Sequence, residues 1–134
     1  MEKNLRGKKA ILVGASGGMG SAIAQMLASE GVVCALVGRN KSKLNEIRST
    51  NLSKGADSFI LACDIGNDLE IKKCSGEALE KLKGLNFLIH CAGDYNKAVA
   101  HECALDAWDK ILDINLRSTY HFSRYLLPEI NKNS

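Results

Sequence analysis

No stretch of this 134-residue chain approaches the roughly 20 consecutive apolar residues of a membrane span. The N-terminal segment, MEKNLRGKKA, is charged and lacks the apolar run of a secretory signal. Neither sign of charge is gathered into a block: 18 basic and 15 acidic side chains are interspersed, for a net charge of +3. That spread offers no electrostatic footprint for nucleic acid. The cysteines, Cys34, Cys63, Cys74, Cys91 and Cys103, are odd in number and form no CxxC pair, which argues against a disulfide framework or a zinc site. Internal repeats, low-complexity tracts and linkers are missing too. What remains is one domain over residues 1–134, expected in the reducing cytoplasm, with no membrane, nucleic-acid or metal partner.

What is present is an alternation of apolar period. Lys9–Gly14, Val32–Gly38, Ser58–Asp64 and Leu85–Gly93 are short runs that stay apolar throughout, the pattern of strands covered on both faces. Between them lie helical spacings: Ile23, Met26 and Leu27 ending at Gly31, then Leu44, Ile47 and Leu52 with Asn40 or Ser42 as caps. A third, from Asn67 to Gly84, is weakened by an internal Gly76. A long fourth runs from Leu105 to Ile130, with Trp108, Ile111, Leu112, Asn115, Leu116 and Tyr120 largely along one side. The order β-α-β-α-β-α-β-α predicts an α/β fold of the Rossmann type. Its parallel sheet is doubly wound, with strand order 3-2-1-4 if the chain reverses after the third strand.

Four glycines fall between Gly14 and Gly20, where the first strand run meets the first helix. Unpaired backbone N–H groups and the positive end of the helix dipole meet there, a site for an anion. Gly14 allows a tight exit from the strand, Gly17 and Gly18 a close approach of a pyrophosphate, and Gly20 close packing of helix on sheet. Ser16 and Met19 contribute N–H groups, and Ser16 a hydroxyl. A flexible loop would carry glycines as well, but this cluster follows a strand and opens a helix within a βαβ unit, the context of dinucleotide binding. No Lys-Ser/Thr follows, so a Walker-type loop is disfavoured.

The spacing Gly14-x-x-x-Gly18-x-Gly20 resembles that of the short-chain dehydrogenase/reductase family, and the likeness continues along the chain. Cys63-Asp64-Ile65 matches the family's acidic position after the third strand, which implies that Asp64 holds the adenine ring and Ile65 flanks it. His90-Cys91-Ala92-Gly93 stands where the family has Asn-Asn-Ala-Gly, which implies that the backbone of Cys91, Ala92 and Gly93 lines the cofactor pocket. His90 reads as a structural replacement for an asparagine; His101 and His121 read as surface residues. The segment from Ala107 to Ile130 is similar to the family's long helix, in which Asn115 would kink the helix and hold a water of the proton relay, the one catalytic role assigned here.

NAD enzymes place an acid at the end of the second strand, to bind the ribose 2′-hydroxyl. This chain has Gly38 there, followed by Arg39, which can make paired charge-assisted bonds to a 2′-phosphate. The expected cofactor is NADP(H), with NAD(H) as the alternative. The family's chemistry also requires a serine and a tyrosine followed four residues on by a lysine. The residues four beyond Tyr95, Tyr120 and Tyr125 are Val99, Arg124 and Glu129. The resemblance therefore implies the N-terminal part of an NADP(H)-dependent oxidoreductase, inactive by itself, whose parent acts on a small carbonyl or secondary alcohol as a homo-oligomer. The fold would be incomplete relative to the family's domain, with the fourth strand at an exposed edge. The alternatives are a non-catalytic NADP(H)-binding protein and a piece that completes a partner's sheet.

Overall fold

Four strands whose residues alternate between two covered faces organise the molecule. The structure, a computed structural model, describes residues 4–53 and 57–132; Met1–Lys3, Lys54–Ala56, Asn133 and Ser134, and any expectation placed on them, lie outside the described residues. In order, the elements are β1 (Lys9–Val13), α1 (Gly18–Ser29), β2 (Val33–Gly38), α2 (Lys41–Ser53), β3 (Ser58–Ala62), α3 (Asp68–Leu82), β4 (Phe87–His90), α4 (Leu105–Leu112), a π-helical segment (Asp113–Arg117) and α5 (Ser118–Asn131). All strand pairs are parallel, and the sheet order is β3-β2-β1-β4, as the alternation predicts. β1 sets Ile11 opposite Ala35 of β2 on one side and Leu88 of β4 on the other.

Side chains sort by parity along the strands. Ala10, Leu12, Cys34 and Leu36 pack with Ala24 of α1 and Leu44 of α2 on one face. Ile11, Val13, Ala35 and Val37 pack with Ile71 and Ala78 of α3 and Phe122 and Leu126 of α5 on the other. Fully burying each Leu, Ile or Val is worth roughly 1.5–3 kcal/mol relative to exposure, so two continuous layers account for much of the driving force. The edge strand β4 is only partly covered along its length. No helix among the described residues is long and apolar enough to cross a membrane.

Local signals place most helix ends. Asn40 accepts from the Lys43 N–H and so caps α2, in preference to Ser42. Asn67 accepts from the N–H groups of Leu69 and Glu70 to start α3. That helix continues through Gly76 without a break, as the helical spacing from Asn67 to Gly84 predicts: Ile71, Cys74, Ala78 and Leu82 bury one continuous face, and this packing outweighs one residue's poor propensity.

Gly76 is exposed within α3, its φ is not positive, and nothing lies within 4 Å of where a Cβ would stand. Gly76→Ala is therefore expected to stabilise the chain by about 0.5–1 kcal/mol, read as a higher midpoint in urea or thermal unfolding.

Candidate active-site cleft

The carboxyl ends of all four strands open into one cleft of about 230 Å³. Gly14, Ser16 and Gly17 line it after β1, Gly38 and Arg39 at the end of β2, Cys63, Asp64 and Ile65 after β3, and Cys91, Ala92, Gly93 and Asp94 after β4. The ladder persists past the strand ends, because Gly14 and Ala15 both donate to Val37 O, Cys63 to Gly38 O and Cys91 to Val13 O. These bonds hold four loops at one level, at the point where the strand order reverses and open α/β sheets bind their ligands.

The glycines divide by what surrounds them. Gly14 has φ +84°, and a Cβ there would lie 2.5 Å from Ala92 N; its smallness serves the contact with the β4 loop as well as the turn out of β1. At Gly20 a Cβ would stand 2.0 Å from Gly14 O, so α1 can begin this close to β1 only with glycine. Gly18 differs, since nothing lies within 4 Å of its missing side chain. Gly17 is the N-cap of α1 and supplies no side chain to cap it. Among the described residues, the N–H groups of Gly18, Met19 and Gly20 have no protein acceptor, and no acidic residue occupies the first turn. The Met19 side chain is 72% exposed, and Gly18, Met19 and Gly20 do not themselves line the cleft.

On the opposite wall, Asp64 donates its backbone N–H to Glu70 Oε2 at 2.7 Å and accepts the Gly66 N–H on Oδ1 at 2.9 Å. One carboxylate oxygen thus shapes its own turn, and Oδ2 is left without a protein partner among the described residues. At the β2 end, a Cβ on Gly38 would meet Ser16 Oγ at 3.1 Å, which explains a glycine there independently of any ligand. Arg39 is exposed at the mouth of the cleft, beside Asn40 and Lys41.

Asn115 lies inside the π-helical segment, so the helix is distorted where the resemblance implies a kink. It does not line the cleft. Its Nδ2 donates to Asp94 O at 2.7 Å and to Ile111 O at 2.9 Å, and its Oδ1 accepts the Asp94 N–H at 3.2 Å. A Cβ at Gly93 would stand 2.8 Å from that Oδ1. The side chain therefore clamps the β4 loop to the helix from both of its ends. Cys63, Asp94 and Ile114 also line the cleft, and the sequence reading did not single them out as site residues. The signal for Ile114 is its neighbour Asn115; Cys63 and Asp94 simply adjoin the motif residues Asp64 and Gly93.

Two histidines separate here. His90 ends β4 as a half-buried structural residue: its Nε2 is 3.3 Å from Ser118 Oγ, and the Ser118 hydroxyl donates to Ile114 O. Since the hydroxyl proton is committed, Nε2–H is the donor and Nδ1 holds the lone pair, buried without a partner. Burial pushes the His90 pKa below its ordinary value. His121 is not a surface residue, contrary to the sequence reading. Its side chain is only 12% exposed, with Nε2 3.5 Å from Asp68 Oδ1, because the α5 face that carries it turns toward α3. His101 stays exposed in the β4–α4 loop.

Cys34 and Cys74 are not set up for thiolate chemistry. Burial pushes the Cys34 thiol up to about 12, and a hydrogen bond with Cys63, together with burial, pushes Cys74 upward. Among the described residues, no group of three His, Cys, Asp or Glu is placed to hold a metal ion.

Because the folded chain holds His90 neutral, its contribution is fully present above the ordinary pKa of 6.5 and is lost as pH falls from there through the depressed folded value. Urea unfolding between pH 7.5 and 5.5 should show a loss of stability in the wild type that His90→Asn reduces. The Asp68 carboxyl, held below its ordinary 3.8 by the Arg117 hydrogen bond, titrates outside that range.

Comparison with known proteins places this arrangement. The family model for the short chain dehydrogenases matches residues 8–134. An uncharacterized oxidoreductase of Staphylococcus aureus (strain USA300) is 31% identical over 130 residues, covering 97% of this chain and 55% of its own. A variant short-chain dehydrogenase/reductase of Serratia marcescens superposes with a TM-score of 0.91 at 26% identity, covering 96% of this chain and 53% of its own. For a hydroxysteroid dehydrogenase from Escherichia coli the values are 0.91, 27%, 97% and 55%. The chain thus spans about half the length of the relatives it matches. On the glycine turn, the Asp64 loop, the β4 end and the π segment, together with a family match over nearly its whole length, this chain belongs to the short-chain dehydrogenase family.

Proposed function

We propose that this chain binds NADP(H) across the carboxyl edge of its sheet. The protein it belongs to would then exchange a hydride between the nicotinamide and a small carbonyl or secondary alcohol. The observation that carries the reading is the pairing of two features at the carboxyl edge of the sheet: an α1 N-terminus beside the cleft whose N–H groups lack acceptors among the described residues, next to an unobstructed Gly18, and an arginine beside a glycine at the β2 end of the cleft. The first suits a pyrophosphate and the second a 2′-phosphate, since no carboxylate stands at position 38 to repel it. Asp64 Oδ2, free on the facing wall, suits an adenine amino group. A cleft of about 230 Å³ cannot enclose a dinucleotide, so the ligand would lie half out of it, along the first turn of α1.

When bound, the nicotinamide supplies the hydride donor or acceptor. This chain's residues bind and orient it: Gly14 and Gly20 bring the α1 N-terminus against β1, and Asn115 fixes the Gly93–Asp94 wall beside which the nicotinamide half would lie. The Ser, Tyr and Lys of the proton transfer are proposed to come from residues outside this sequence, because none of Tyr95, Tyr120 and Tyr125 has a lysine four residues on. That same observation favours a second reading, a non-catalytic NADP(H)-binding protein. Cofactor binding without turnover by the protein isolated from its source would select it. Assembly as a homo-oligomer in the cytoplasm is part of the proposal; the exposed apolar side chains Trp108, Leu116 and Tyr120 on the long helix support the first element.

Titration calorimetry with NADPH and NADH tests the cofactor. Arg39→Ala should weaken NADPH about tenfold and leave NADH nearly unchanged, the scale of one charge-assisted bond. Gly38→Asp should reverse the preference. Equal affinity for both cofactors in the wild type would overturn the NADP(H) assignment. Gly18→Ala should leave the unfolding midpoint unchanged or slightly raised while weakening both cofactors, because its methyl occupies space only a ligand would need.

A further inference from the structure

The cleft has two walls on the α3/α5 side, the loop Cys63–Asn67 leading into α3 and the π segment that carries Ile114 and Asn115. Among the described residues, no backbone hydrogen bond joins them. The polar link between them is one cluster just behind the cleft. Arg117, the last residue of the π segment, reaches Asp68, the first residue of α3, with Nη2 to Oδ2 at 2.7 Å and Nε to Oδ1 at 3.3 Å. His121, one turn further along, places Nε2 3.5 Å from Oδ1.

Asp68 is anchored as well as paired. It sits in a first turn capped by Asn67, and two residues on, Glu70 reaches back to hold the Asp64 N–H. The turn thus behaves as one block, gripping Asp64 through Glu70 and the π segment through Asp68. Arg117 is in turn two residues from the Asn115 clamp on Asp94. The Arg117 hydrogen bond holds the Asp68 carboxyl below its usual range, so the pair is charged at neutral pH. An exposed ion pair contributes little to global stability. A two-pronged one at the N-terminal end of α3 and the end of the π segment, just beyond the packed α3/α5 core, is placed to adjust their separation beside the cleft.

We propose that Asp68 and Arg117 form a strap that sets the width of the adenine end of the cleft, so that affinity for the adenine nucleotide half of the cofactor depends on two residues that do not line the site. They are positioning residues, and the inference rests on the cofactor reading above. Asp68 lies outside the motifs that identify the family here, and Arg117 closes the π segment that is one of them.

ADP probes the adenine end alone. In calorimetric titration, Arg117→Met and Asp68→Asn should each weaken ADP roughly two- to fivefold, the range of an exposed pair expressed as affinity. The double variant should lose no more than either single one, and Arg117→Lys should recover part of the loss. Unfolding midpoints measured on the same samples separate the strap from damage to the fold: at an unchanged midpoint the affinity still falls. Wild type binding ADP with the single variants equally tight, or losses that add in the double variant, would overturn the strap alone. A wild-type chain that binds neither ADP nor NADPH would overturn the cofactor reading and the strap with it.

Discussion

Three backbones converge at Gly14. The carboxyl end of β1 turns there with φ +84°, the loop after β4 passes with Ala92 N 2.5 Å from where a Cβ would be, and α1 starts so near that Gly20 faces Gly14 O across 2.0 Å of the same hypothetical space. No L side chain fits any of these contacts without moving a main chain. The placement of the α1 N-terminus, the depth of the cleft and the position of its β4 wall all follow from this close approach. The glycine cluster therefore has two jobs that sequence alone merges. Gly14 and Gly20 are consumed by the protein's own packing, and Gly18 is left over, facing open space. The last is the informative one for function, because the fold itself does not require it.

The long helix shows a similar division. α4 buries none of its residues, whereas α5 buries Ser118, Phe122 and Leu126 against the sheet. Between them the π segment adds a residue to the turn, and Ser118 N–H bonds back to Asp113 O, five residues earlier. The insertion lets Ile114 face the cleft while the next residue, Asn115, reaches the β4 loop. An uninterrupted α-helix carries i and i+4 on one face, and here that row is Ile114, Ser118, Phe122 and Leu126, all buried. The helix leaves the sheet just where the cleft begins.

How much of this was legible depended on which force set each feature. Strand order, parallel pairing and the two-faced core are written in the unbroken apolar runs and in their alternation with helical spacing, because apolar burial drives folding more strongly than any other interaction and periodicity is its signature. Of the residues lining the cleft, Gly14, Ser16 and Gly17 were legible as a glycine cluster between strand and helix, whereas Asp64, Ile65, Cys91, Ala92 and Gly93 were implied by the family resemblance. Gly76 weakens the helical signal because propensity is local, whereas α3 has a complete buried stripe to hold it together. His121 misled because what covers it is α3: its Nε2 lies 3.5 Å from Asp68 Oδ1, a long-range contact that no local pattern encodes. The strap between Asp68 and Arg117 spans 49 positions, and no local pattern encodes a contact at that distance.

Gly38 shows why one residue can look functional for two unrelated reasons. Its missing side chain makes room for Ser16 Oγ at 3.1 Å, a purely internal fit, and it also removes the carboxylate that would oppose a phosphate. These reasons make different demands. An internal fit is satisfied by glycine whatever follows it, whereas phosphate recognition needs a cation within reach. Under the proposed NADP(H) reading Arg39 would meet that second demand: it is the next residue, it lines the same cleft, and it sits at the mouth where Asn40 turns the chain into α2. In that proposal the β2 end works as a pair, with the glycine permitting a phosphate and the arginine attracting it. Selectivity between cofactors is a difference of two affinities, and a site that lacks the repulsive acid discriminates only through what its cation gains.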